Sequence, residues 1–171
     1  MGAMPANPQT LFGEATETFG PAIQRLVRGY EADPARQEEL RQDIMLALWR
    51  ALRTFRGDSS LRTFVFRVAH NTAISHVHKS VRDRSEPGLD DAAVAAPGPA
   101  AEATLDRARR REELTAAIRL LPDLDREVVL LNLEGLANGE VAEVTGLSVS
   151  NVGTRLTRIR QRLIEIVGGK R

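Results

Sequence analysis

The sequence predicts an all-α protein: two small helical domains joined by a flexible linker, the second carrying a helix-turn-helix. Three observations carry this expectation. Aromatic residues make up only 4% of a chain rich in Leu, Ala, Arg and Glu, a composition that favours helix over sheet. Apolar residues recur three and four positions apart, and no segment alternates as a strand would. The stretch Ser85 to Ala103 holds three prolines, two glycines, four acids and no basic residue. Such a composition buries too little apolar surface to fold alone. Residues 85–104 are therefore expected to link a domain at 10–84 to another at 105–167.

The elements follow in order. Leu11 to Gly29 carries Phe12, Ala15, Phe19, Ile23, Leu26 and Val27 at helical spacing, with Gly20-Pro21 expected to interrupt it. Asp33 and Pro34 open a second helix, the aspartate as N-cap and the proline at the first helical position. It runs to about Phe55, with Leu40, Ile44, Ala47, Leu48 and Leu52 on one stripe. Arg56 to Ser60 is a loop. A third helix, about Leu61 to Val81, turns Phe64, Val65, Val68, Ala69, Ala73, Ile74 and Val77 inward and leaves Phe66 partly exposed. Beyond the linker a helix ends at Leu121, Pro122-Asp123 breaks it, and Asp125 to Leu133 continues. Two further short helices close the chain.

Net charge is +1, which alone does not point to nucleic acid. Its distribution does. Arg50, Arg53, Arg56, Arg62, Arg67, Lys79, Arg82 and Arg84 face only Asp58 and Asp83 within their segment. Near the end, Arg155, Arg158, Arg160, Arg162, Lys170 and Arg171 stand against Glu165 alone. Two basic blocks in an otherwise acidic chain suit a two-point contact with a polyanion, and suit equally a pair of solvated helix faces.

Catalysis finds no support. There is no cysteine, so disulfides and thiolate metal sites are excluded. His70, His76 and His78 share one helix without the spacing of a metal site. No nucleophile triad, phosphate loop or paired-carboxylate pocket is evident, and no cofactor is implied. No apolar run approaches the roughly 20 residues needed to span a bilayer. A cytoplasmic protein without membrane insertion is the expectation.

The segment Pro122 to Leu163 has the grammar of a helix-turn-helix. Gly139 to Thr145 turns Val141, Ala142 and Val144 inward, and Gly146 supplies the left-handed turn. Leu147 plugs the corner and Ser148 caps the next helix. That helix presents Asn151, Thr154 and Arg155 near its start, where recognition helices meet base edges, with Arg158, Arg160 and Arg162 placed for phosphates. A three-helix bundle with an Arg-rich last helix is the plainer alternative.

Leu121-Pro122, Arg126, Glu134-Gly135, Glu140-Val141-Ala142, Gly146-Leu147-Ser148, Val152, Arg155-Leu156, Arg158 and Arg160 resemble region 4 of the extracytoplasmic-function (ECF) sigma factors. Glu39 to Asp43 followed by Leu48-Trp49, and Phe55 to Ile74, resemble region 2. The resemblance covers about residues 11–82 and 105–166. It implies promoter DNA and core RNA polymerase as partners, the latter through its β′ clamp helices and β flap, and an anti-sigma factor.

Carried over residue by residue, the resemblance assigns docking on the clamp helices to Glu38, Glu39, Leu40, Gln42, Asp43, Leu46 and Trp49. Leu40 and Trp49 suit the core equally well. Minus-ten recognition and melting fall to Arg56, Asp58, Ser59, Ser60, Arg62, Phe66, Arg67, His70, Asn71 and Lys79, although Asp58-Ser59-Ser60 also suits a simple N-cap. Opening a duplex costs a few kcal/mol that a base pocket and a basic wall must offset. Minus-thirty-five contacts fall to Ser148, Ser150, Asn151, Thr154, Arg155, Arg158 and Arg160.

Three positions depart from the family pattern. Ala137 stands where a Ser or Thr cap is common, leaving Asn138 to cap instead. Gly139 and Gly153 replace longer side chains, each at about 1 kcal/mol of helix stability. The rival reading is a stand-alone helix-turn-helix regulator, which would carry a ligand or dimerisation module in its first half.

Overall fold

The computed structural model describes residues 7–84 and 102–169. Most of the proposed linker, with Lys170 and Arg171, lies outside the described residues. The described residues are helices and turns, with no strand among them. Helix α1 spans Pro8–Tyr30, α2 Pro34–Ala51 and α3 Leu61–Arg84, with a 3-10 turn at Leu52–Thr54 between the last two. Then come α4 Glu102–Arg119, α5 Asp123–Leu133, α6 Asn138–Thr145 and α7 Val149–Gly168.

Local chemistry explains the boundaries. The Asp33 carboxylate accepts from the Arg36 N–H at 3.0 Å, and Pro34 follows at the first helical position. Ser60 Oγ accepts from the Thr63 N–H at 3.1 Å and so caps α3, the plainer of the two roles weighed for it. Gly146 is left-handed at φ 75°, and Ser148 Oγ accepts from the Asn151 N–H at 3.2 Å, as a helix-turn-helix requires.

Three boundary expectations are corrected. Gly20-Pro21 does not interrupt α1, because Pro21 lies on the exposed side and the one missing hydrogen bond falls towards water. Asn138 is the first residue of α6 rather than its cap; the Glu140 carboxylate reaches back to the Ala137 N–H at 2.8 Å. Helix α7 is not short but runs for 20 residues.

The first three helices enclose Ile23, Leu26 and Val27 from α1, Leu40, Ile44 and Leu48 from α2, and Val65, Phe66, Ala69 and Ala73 from α3. The last four enclose Ile118, Leu121, Val128, Leu131, Leu136, Val141, Val152, Leu156 and Ile159. Each fully buried Leu or Ile stabilises its bundle by about 1.5–3 kcal/mol. The two bundles lie against one another: α1 packs on α4 and α5, and α3 on α5 and α6.

Candidate nucleic-acid interface

Helix α2 presents a polar outer face. Glu38, Glu39, Gln42 and Asp43 are exposed, as is Leu46, while Trp49 is half-buried with its ring edge-on to Phe12 at 5.2 Å. The Glu38 carboxylate accepts from Arg41 at 2.6 Å and from Gln42 at 3.0 Å, and these bonds hold its pKa down to about 2. It is therefore an anion across the working pH range. Asp43 accepts from the buried His76 Nδ1 at 3.3 Å, so its carboxylate is steered by α3. Leu40 is 0% exposed and belongs to the core, not to any docking face.

Along the loop and α3, Arg56, Asp58, Ser60, Asn71 and Lys79 are exposed, and Ser59, Arg62 and Arg67 are half-buried. Two residues expected on this face are not on it. Phe66 is 2% exposed and packs edge-on to Phe19 at 6.1 Å, whereas Phe64 is the partly exposed ring and packs against Phe55 at 4.8 Å with the ring planes tilted by 56°. The expectation for the two phenylalanines is thus reversed. Helix α3 is wedged between α1 and α2, which puts position 66 inside. His70 is 1% exposed and shares a 2.9 Å hydrogen bond with the Tyr30 hydroxyl. Burial pushes its pKa down to about 3, so it is a neutral core group and offers no positive charge to DNA.

Arg62 and Arg67 are held in the other direction, by the C-terminal bundle. Arg62 donates to the Glu134 carbonyl at 2.8 Å and lies 3.7 Å from the Glu140 carboxylate. Arg67 donates to the Glu143 carbonyl at 2.9 Å. Sequence spacing carried no signal for these contacts, because the partners are more than seventy positions apart.

The cap Ser148 and, on α7, Ser150, Asn151 and Thr154 form an exposed polar row, with Arg158 and Arg160 exposed one to two turns on. Arg155 differs. It donates to Asp125 of α5 at 2.5 Å and is half-buried, so in this arrangement it braces the bundle instead of pointing outward. At Gly153 an added β-carbon would meet only the Asn138 side-chain nitrogen, at 3.6 Å. An exposed polar row that begins at a capped N-terminus and continues into arginines suits insertion into a major groove.

The described residues thus combine a polar and basic row suited to DNA with an acidic face on the other half of the chain suited to a basic partner. Residues 16–83 match the family described as Sigma-70 region 2, and residues 111–163 that described as Sigma-70, region 4. The RNA polymerase sigma-H factor of Pseudomonas aeruginosa is 30% identical over 152 residues, covering 82% of this chain and 78% of that one. The RNA polymerase sigma factor YlaC of Bacillus subtilis is 31% identical over 132 residues, 74% of each. In fold, the chain resembles the sigma factor RpoE of Bartonella quintana, solved in complex with the anti-sigma factor NepR. That match has a TM-score of 0.72 at 23% identity and covers 94% of this chain and 98% of that one. CnrH, solved with the cytosolic domain of CnrY, gives 0.68 at 23% identity, covering 97% and 92%.

With the ECF RNA polymerase sigma-E factor of Escherichia coli also 29% identical over 133 residues, 71% of this chain and 69% of that one, the chain belongs to the sigma-70 family and is an ECF RNA polymerase sigma factor. It serves promoter recognition and transcription initiation by core RNA polymerase, and sigma factors are not in general enzymes. The region 2 match in the first half is what separates it from a stand-alone regulator. Among the described residues no helix is long and apolar enough to cross a membrane.

Proposed function

We propose that residues 10–84 form a unit that docks on core polymerase and opens the minus-ten element, and that 105–167 form a unit that reads the minus-thirty-five element. Docking uses the outer face of α2: Glu38, Glu39, Gln42, Asp43, Leu46 and Trp49. The β′ clamp helices are the complementary surface, and the C-terminal unit meets the β flap. Minus-ten contacts come from Arg56, Asp58, Ser59, Arg62, Arg67, Asn71 and Lys79, with Ser60 positioning the loop as the α3 cap. Minus-thirty-five contacts come from Ser150, Asn151, Thr154, Arg158 and Arg160, with Ser148 fixing the start of the reading helix. The protein catalyses no reaction of its own and works in the cytoplasm beside polymerase. Because RpoE was solved with the anti-sigma factor NepR, and CnrH likewise with a second protein, the cytosolic domain of CnrY, an anti-sigma factor is a partner here too.

The observation that carries this reading is the exposed acidic face of α2, set by a core stripe of Leu40, Ile44 and Leu48 on its opposite side. A buried stripe fixes which side chains are left for a partner. The test is gel filtration with core polymerase alongside run-off transcription. A variant joining Glu39→Lys to Asp43→Asn, which keeps an acceptor for His76, is expected to lose co-elution and transcription with its helicity unchanged. Retained co-elution would show that this face is merely solvated.

A further inference from the structure

We propose that Arg25, Arg62 and Arg67 form one phosphate-binding strip, and that the C-terminal bundle occupies it in place of DNA when the chain is closed. The proposal rests on the reading of Arg62 and Arg67 as DNA contacts, and adds Arg25 and an internal competitor to it. Arg25 on α1 forms a bidentate pair with the Glu134 carboxylate, both contacts at 2.7 Å. Arg62 on α3 grips the carbonyl of that same residue and faces Glu140, so Arg25 and Arg62 converge on one place. Arg67, five residues further along α3, takes the Glu143 carbonyl. The acceptors are carboxylate and carbonyl oxygens on the end of α5 and on α6, and guanidinium groups pair with phosphate oxygens through the same kind of N–H···O contact.

Other contacts hold the bundles together beside the strip. His78 Nε2 donates to Asp123 at 2.6 Å, and Arg119 donates to the Arg28 carbonyl at 2.8 Å. At Gly29, α1 comes so close that an added β-carbon would lie 2.7 Å from Leu130 Cδ2, and its nearest neighbours are all atoms of Leu130. The contacts differ in strength. The Arg25–Glu134 pair is bidentate with Glu134 only 12% exposed, but Arg25 itself is 58% exposed and Arg62 and Glu140 are each 35% exposed, so water and salt reach every pair of the strip from at least one side. Closure is therefore readily reversed by a partner that offers more phosphates or holds the bundles apart. The closed fraction lowers the apparent DNA affinity by the fraction of chains that are open.

Two variants open the interface by different means. Glu134→Gln with Glu140→Gln removes the competing carboxylates, and glutamine at 140 still offers an acceptor to the Ala137 N–H. Gly29→Leu leaves charge unchanged and drives a side chain into Leu130. The probe is a short random-sequence DNA duplex, measured over a salt series, with small-angle X-ray scattering for compactness. Both variants are expected to expand and to bind the duplex about tenfold more tightly. Glu14→Gln with Glu17→Gln, the same charge change away from the interface, is expected to do neither. In the Gly29→Leu background, Arg25→Gln should lower the slope of log affinity against log salt by about one.

Unchanged duplex affinity in both opened variants overturns the proposal, whether or not they expand. So does an Arg25→Gln variant with an unaltered salt slope. If instead Arg62→Gln with Arg67→Gln binds as well as its Gly29→Leu parent, the underlying reading of those arginines as DNA contacts fails. The two failures are thereby distinguished.

Discussion

Tyr30 at the end of α1 and His70 in the middle of α3 share a buried hydrogen bond of 2.9 Å, closing the N-terminal bundle with a polar pair. Burial pushes the Tyr30 hydroxyl pKa up and the His70 pKa down, so both stay neutral at working pH. Tyr30→Phe leaves a buried ring nitrogen without its partner and is expected to cost about 1–3 kcal/mol by urea unfolding. A loss near zero would mean that the site relaxes to admit water.

The same pair sets a pH dependence. His70 binds its proton in the unfolded chain near pH 6.5 but in the folded chain only near pH 3. Stability is thus fully present above 6.5 and falls as pH drops towards 3, by up to about 1.4 kcal/mol per pH unit. His70→Gln should flatten that slope in unfolding curves taken from pH 7 to pH 4.

Glu127 works in the opposite sense. Burial raises its pKa from 4.5 to about 7, so the folded chain holds a proton that the unfolded chain has lost. Its effect is to lower stability as pH rises from 4.5 to 7, which partly cancels the His70 term between 4.5 and 6.5. Glu127→Gln is expected to stabilise the protein at pH 8 by about 1–3 kcal/mol and to do little at pH 4. Equal effects at both pH values would show that packing, not charge, is at stake.

On α7 the arginines should divide. Arg158→Ala and Arg160→Ala are expected to weaken minus-thirty-five duplex binding and each to reduce the salt slope by about one. Arg155→Ala is expected mainly to lower Tm, because it strands Asp125. Gly153→Ala should raise Tm, adding about 0.5–1 kcal/mol of helix stability at a position with room for a methyl group.

In the capped loop, Ser59→Ala is expected to slow open-complex formation on duplex promoters and to shift preference at one minus-ten position. On a premelted bubble the rate defect should shrink while the base preference persists, since unpairing is already done. An equal defect on both templates, with no change of preference, would limit Ser59 to shaping the loop.

Much of this architecture was legible in the sequence. Asp33-Pro34, Gly146 and Ser148 mark helix ends through local hydrogen bonds, which need no knowledge of the rest of the chain. Helix α3 was harder. It packs on α1, α2, α5 and α6, so Thr63, Val65, Phe66, Ala69, His70, Ala73 and His76 are all buried and no clean apolar stripe exists. That is why Phe66 and His70 read as surface and Phe64 as core. The Arg25–Glu134 and Arg67–Glu143 contacts join residues far apart in sequence, where period and capping carry no information.

The chain contains one tyrosine and one tryptophan, and each stands in a different place of interest. Tyr30 lies beneath the Arg126 guanidinium, 5.3 Å from its ring centre, where the two bundles meet. Trp49 lies on α2, within the face proposed to meet polymerase. In near-ultraviolet circular dichroism only tryptophan contributes at the long-wavelength edge, so its part can be subtracted from the shared band and the unlabelled protein carries two optical reporters. In the isolated chain, separation of the bundles should perturb the tyrosine signal and leave the tryptophan signal in place, whereas a change in the packing of α2 should do the reverse.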